Sequence, residues 1–144
     1  MSYHVLDDIL KRVSEERLVQ LTNDADGDTI DEDVYAEARA DADAEIDGYI
    51  GARYGLPLAS TPALIKRLSI TLTTYHLYRR RITDDDDFPG QVRKDYEDAI
   101  RALCRLSDGT VTLGTQPAPA QNPERVGQLE SHTRVFSRST LESF

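Results

Sequence analysis

Cysteine is almost absent. Cys104 stands alone among 144 residues, so no disulfide can form within the chain. It sits in IRALCRL, an apolar helical context, where a buried and inert thiol is expected. Long apolar runs are missing as well: no stretch of 18 apolar residues exists, so no membrane-spanning helix is expected. The opening residues, MSYHVLDDILKRV, carry acids where a secretion signal needs bases, which points to a cytoplasm-like compartment. Catalytic signatures are also wanting. There is no G-x-S-x-G, no H-E-x-x-H, no glycine-rich phosphate loop and no C-x-x-C. His4, His76 and His132 fall in three separate segments, and spacing pairs none of them with a nucleophile. No enzyme activity and no cofactor are expected.

Bases are scarce in the first part of the chain. Residues 1–60 hold 15 acids against 5 bases, whereas residues 61–114 hold 8 against 9. Of the total charge of -9, that first stretch carries more than all. Duplex binding depends on Lys and Arg neutralising phosphates, so nucleic acid is a poor candidate for a specific ligand. An acidic surface would instead keep passing DNA from sticking.

What is present is helical periodicity. The length suits one domain with one core, and 39% apolar with 30% charged residues suits helices with wet outer faces. Val5, Leu6, Ile9, Leu10 and Val13 share a face in a first helical segment over residues 3–21, and Ser14 is placed to cap a second short turn within it. Thr29 with Glu32 fits a capping box for the longest helix, whose core stripe is Val34, Ala38, Ala42, Ile46, Tyr49 and Ile50. Its opposite face is Glu37, Asp41, Glu45 and Asp47. Thr61-Pro62 reads as the next helix start. Apolar residues then cover more than half the circumference from Leu64 to Ile82, which places that helix at the centre. DDDDFPG breaks it, a fourth helix runs over 91–106, and Ser-Asp-Gly at 107–109 stops it. Residues 110–113, Thr-Val-Thr-Leu, alternate like a short strand. The expected architecture is all-α: a small four-helix bundle over residues 1–113, with a short C-terminal strand and an extended arm over 114–144.

Three features carry candidate sites. The loop Asp24, Asp26, Asp28 offers oxygens at the alternate positions of a calcium loop. The sixth-position glycine is missing and Val34 falls near the place of the terminal Glu. The loop is therefore either a weak cation site or a solvated turn whose acids cap the next helix. Second, Arg79, Arg80 and Arg81 stand close to Asp84, Asp85, Asp86 and Asp87. Three consecutive helical residues fan over roughly 200°, so all three arginines cannot serve one partner. Either they form a polar helix end with local ion pairs, or these charges meet a second subunit. Third, the proline-rich TQPAPAQNPERVGQ leads to RVFSRSTLESF, which holds Val135, Phe136, Leu141 and Phe144. Such a segment reads as a docking peptide or as a tail that folds back on its own core.

The stretches LVQLTNDADGDTIDEDVYAEARADADAEIDGYIGARYGLPL, TPALIKRLSITLTTYHLY, VRKDYEDAIRALCRLSDGTVTLG and RVFSRSTLESF have a familiar order. They resemble the head–tail connector (neck or adaptor) proteins of Mu-like tailed bacteriophages and prophages, over nearly the whole chain. The resemblance implies a homo-oligomeric ring, commonly of twelve copies, between the portal protein and the next neck or tail-terminator component. It implies a channel through which DNA passes without sequence-specific contact, a place in the virion neck after assembly in the host cytoplasm, and no catalytic residues. The alternative from another class is a calcium-responsive helical binding module. A ring subunit needs a rigid helical body, complementary charged flanks and an arm that reaches a neighbour, and the sequence offers all three.

Overall fold

A computed structural model describes residues 2–25, 27–82 and 88–114. It is all-α, with five helices among the described residues: α1 (Leu6–Leu10), α2 (Glu15–Thr22), α3 (Glu32–Ile50), α4 (Ala63–Arg81) and α5 (Gly90–Asp108). The expected first segment forms two helices, and Ser14 caps the second. Arg12 and Val13 both donate to the Ile9 carbonyl, closing α1, and Ser14 Oγ accepts from the Arg17 amide at 3.4 Å to open α2.

Caps decide the other boundaries. Asp31, rather than Thr29, starts α3, because its carboxylate accepts from the Asp33 and Val34 amides at 3.1 Å each. Pro62 occupies the cap position of α4 instead of the first helical turn. Gly109 ends α5 in the left-handed region at φ 78°, where a side chain is strained, and a Cβ there would also run into the Arg53 guanidinium.

The expected strand at 110–113 is not formed. Val111 N–H donates back to the Arg105 carbonyl at 3.1 Å, and Leu113 N–H donates to the Tyr54 hydroxyl at 3.2 Å. The alternation has no neighbouring strand among the described residues to pair with, so the helix end and Tyr54 take its donors.

α4 is central, as its apolar circumference requires. It supplies Ile65, Leu68 and Leu72 to a cluster with Ala42, Ile46, Ile50, Ala99, Leu103 and Leu106. It also supplies Ile70, Leu77 and Tyr78 to a second cluster with Ile9, Leu18, Leu21, Tyr35 and Phe88. Cys104 is exposed, against expectation. Leu103 and Leu106 face the core, and one step of about 100° turns the thiol to solvent.

Among the described residues no helix is long and apolar enough to cross a membrane.

Candidate functional site

Three polar assemblies tie the helices together, and they differ in how far they are from water. The outermost sits at the end of α4. Arg80 grips Asp24 with both terminal nitrogens, and Arg81 Nη1 reaches the same carboxylate at 2.7 Å. The two arginines also donate to the carbonyls of Leu21, at 3.4 Å, and Asn23, at 3.3 Å. They thereby satisfy orphan acceptors at the C-terminal end of α2. The Arg80 hydrogen bond holds the Asp24 carboxyl below its ordinary range. Asn23 shapes the loop itself, accepting from the Ala25 amide and donating to the Thr29 carbonyl, both at 2.9 Å.

This geometry bears directly on the aspartate loop. Both Asp24 oxygens face guanidinium groups, so a cation there would meet two positive charges. Asp26 lies outside the described residues, and Asp28 is exposed. Among the described residues no group of three His, Cys, Asp or Glu side chains could hold a metal ion. The arginine run divides as its helical fan requires: Arg80 and Arg81 share Asp24, while Arg79 is exposed and bonds to none of the described residues. Asp84, Asp85, Asp86 and Asp87 lie outside the described residues, as do Val135, Phe136, Leu141 and Phe144.

The second assembly joins α3, α4 and α5. Glu45 accepts from the Tyr96 hydroxyl at 2.9 Å and lies 3.2 Å from His76 Nε2. Tyr75 stacks on Tyr96 with ring centroids 3.8 Å apart. Burial, followed by the Glu45 bond, pushes the Tyr96 hydroxyl far above the usual phenol range. The face read from the sequence as Glu37, Asp41, Glu45 and Asp47 is therefore split. Glu45 and Asp47 are half-buried and bonded inside the molecule, whereas Glu37 and Asp41 are exposed. With Asp33, which lies on the same side, they give α3 an acidic solvent face that forms no ion pair with a described cation, although Glu37 acts on Arg80 through space. Beside it runs a furrow of about 300 Å³ lined by Ser2, Arg39, Asp43, Asp47 and the small side chains of Ala36, Ala40 and Ala44.

The third assembly is buried, and no motif or spacing in the chain points to it. His4 is 2% exposed and Asp43 is 4% exposed. Ser69 Oγ donates to Asp43 Oδ1 at 2.6 Å, so its oxygen is left to accept from His4 Nδ1 at 2.8 Å. The Tyr3 amide donates to Asp43 Oδ2 at 3.3 Å, and the Tyr3 hydroxyl donates to Asp47. Burial, then the Arg39 charge, lowers the His4 pKa to about 4. Burial raises the Asp43 carboxyl despite its two donors. The hydroxyl stands between carboxylate and imidazole and gives its proton to the carboxylate. A serine nucleophile needs the reverse order, with imidazole in the middle. Chemically this cluster is a clasp for the segment Ser2–Val5.

The fold and its sites thus define a small all-α protein whose polar residues chiefly bind helix to helix. Residues 3–130 match the model of the family described as Bacteriophage Mu, Gp36. The chain is 33% identical to the Mu-like prophage FluMu protein gp36 of Haemophilus influenzae, covering 96% of this chain and 94% of that protein. It is 35% identical to Gene product J of Escherichia phage Mu, covering 96% of each. The chain belongs to this Mu-like phage protein family.

Proposed function

We propose that the protein is a structural head–tail connector subunit, one copy in a ring between portal and tail components, with a channel for DNA. Twelve copies would match a portal ring. The role is non-catalytic, the site of action is the virion neck, and the arm over residues 114–144 docks on a neighbour through Val135, Phe136, Leu141 and Phe144. Membership of a Mu-like phage family supports this reading. The structural observation that carries it is the acidic face of α3, Asp33, Glu37 and Asp41, which forms no ion pair among the described residues, in a body that also leaves the Arg79 side chain without a described partner. Unlike charges left open on separate faces of one subunit suit the heterologous contacts that close a ring. An acidic lumen would also repel DNA and let it slide. The calcium-responsive alternative is weakened by Asp24, which its own arginines already occupy.

Mixing the purified chain with portal and imaging the product tests the proposal. A ring on one face of the portal is expected, and a chain truncated after Gly114 should lose it while keeping its helical circular dichroism. Absence of any ring with the full chain on portal would overturn the connector reading. A ring that forms equally well from the truncated chain would overturn the docking role of the arm.

A further inference from the structure

Residues 2–5 form no helix, yet they are fastened to α3 and α4 through both backbone and side chains. Tyr3 is 2% exposed and packs in the α3–α4–α5 cluster, its amide and hydroxyl both bonded to α3. The His4 carbonyl accepts from Ser2 Oγ at 3.1 Å and Arg39 Nη1 at 3.5 Å. The His4 ring donates through Nδ1 to the Ser69–Asp43 pair. That bonding leaves Nε2 as the bare nitrogen, and it is buried without a hydrogen-bond partner among the described residues.

We propose that Ser2–Val5 is a proton-operated latch: protonation of His4 releases the segment from α3 and α4 and widens the alanine furrow that Ser2 borders. The neutral ring fits its seat because Nδ1 alone needs a partner. A proton on Nε2 would add a buried donor with nothing to accept it. It would also add charge to a site where cations already lie close. The groups that face His4 are Arg39, Asp43 and Tyr35 from α3, Lys66 and Ser69 from α4, and Asp8 from α1. Arg39 and Lys66 oppose the new charge. Asp8 favours it but is itself bonded to Lys66 at 3.1 Å, and Asp43 lies one hydroxyl away.

The sign follows from linkage. A histidine held near 4 when docked and at 6.5 when free binds its proton more readily in the released state. Docking is therefore at full strength above pH 6.5 and weakens as pH falls toward 4, by up to about 300-fold in the release equilibrium. Asp43 works against this in part, since its buried carboxyl takes up a proton more readily while the segment is docked.

Hydrogen exchange of the Tyr3 amide, corrected for intrinsic rate and followed from pH 7 to pH 4 by NMR, reads the latch. Protection should fall by tens to hundreds of fold while the amides of Leu72 and Leu103 keep theirs. The His4→Asn variant sets an amide nitrogen where Nδ1 stood and cannot titrate, so its Tyr3 protection should change less than threefold. The His4 ring of the wild-type chain should titrate well below 6.5 in the same spectra. Tyr3 protection that is flat with pH, an equal loss at Leu72 and Leu103, or a His4→Asn variant that behaves as wild type would each overturn the latch.

Discussion

Asp24 and Asp43 make a pair worth comparing, since each accepts several hydrogen bonds and each joins parts of the chain far apart in sequence. Asp24 stands in water, its side chain 58% exposed, and binds two full positive charges. Asp43 is 4% exposed and binds only a hydroxyl and an amide. Their carboxyls move in opposite directions, Asp24 down and Asp43 up. At the surface, strong partners come at little desolvation cost, and water screens most of their value. In the interior, desolvation outweighs two neutral donors, but removing the acceptor strands those donors where water cannot reach them. The weaker-looking contact set is the one the fold depends on. Glu45, 24% exposed and bonded to Tyr96 and His76, falls between the two.

Removing Asp43 should therefore give the largest effect. Asp43→Ala leaves the Ser69 hydroxyl and the Tyr3 amide without acceptors and loosens the His4 ring. A loss of about 3 kcal/mol is expected, or about 12 °C in Tm for a domain of this size. Thermal unfolding followed by circular dichroism measures it, and a loss below about 3 °C would undo the comparison. Acidification probes the same cluster. The His4 contribution is present above pH 6.5 and lost as pH falls toward 4, worth at most about 3 kcal/mol. Asp43 runs the other way, because its raised carboxyl favours the folded state at low pH and disfavours it as pH rises through its folded value. Asp24, with its lowered carboxyl, contributes above its ordinary pKa of 3.8 and loses that only below it. A fall in stability confined to pH 6.5–4, and absent in His4→Asn, would assign the change to the buried cluster.

The contrast between the two aspartates marks the limit of what was legible in the sequence. The all-α class followed from periodicity, and the central place of α4 from apolar residues over more than half its circumference. Ser14 as a cap and the stop at Gly109 were local chemistry, readable over a few residues. Cap choice between Thr29 and Asp31 was not, because both offer an oxygen and only the loop path, set by Asn23 and Thr22, selects one. Nor was the failure of residues 110–113 to form a strand, since that depends on what the rest of the fold offers as a partner. The buried clasp joins positions 4, 43 and 69, brought together only by tertiary packing, and no spacing rule pairs them. Burial also decided Cys104, where an apolar neighbourhood in sequence concealed a solvent-facing step of the helix.

The intermediate case sharpens the gradient. Glu45→Ala removes the acceptor of the Tyr96 hydroxyl and the partner of His76, with the stacked Tyr75 and Tyr96 rings left in place. Partial access to water lets both groups find other partners, so about 1 kcal/mol is expected, or about 4 °C in Tm. A loss matching that of Asp43→Ala would show that burial is not what sets the order.

Asp24→Ala should have the smallest effect of the three, although it breaks the most highly charged contacts. Arg80 and Arg81 are left in solvent, where water replaces the lost carboxylate. Their bonds to the Leu21 and Asn23 carbonyls persist and still hold α4 against the end of α2. What does change is sensitivity to salt. In about 1 M sodium chloride the screening length drops to about 3 Å, which weakens an exposed pair but scarcely reaches a buried one. The Tm difference between wild type and Asp24→Ala should shrink there, while that of Asp43→Ala stays. A salt-independent loss at Asp24 as large as that at Asp43 would mean that the loop is a structural keystone, not a solvated tether, and the ordering by burial would fail at its exposed end.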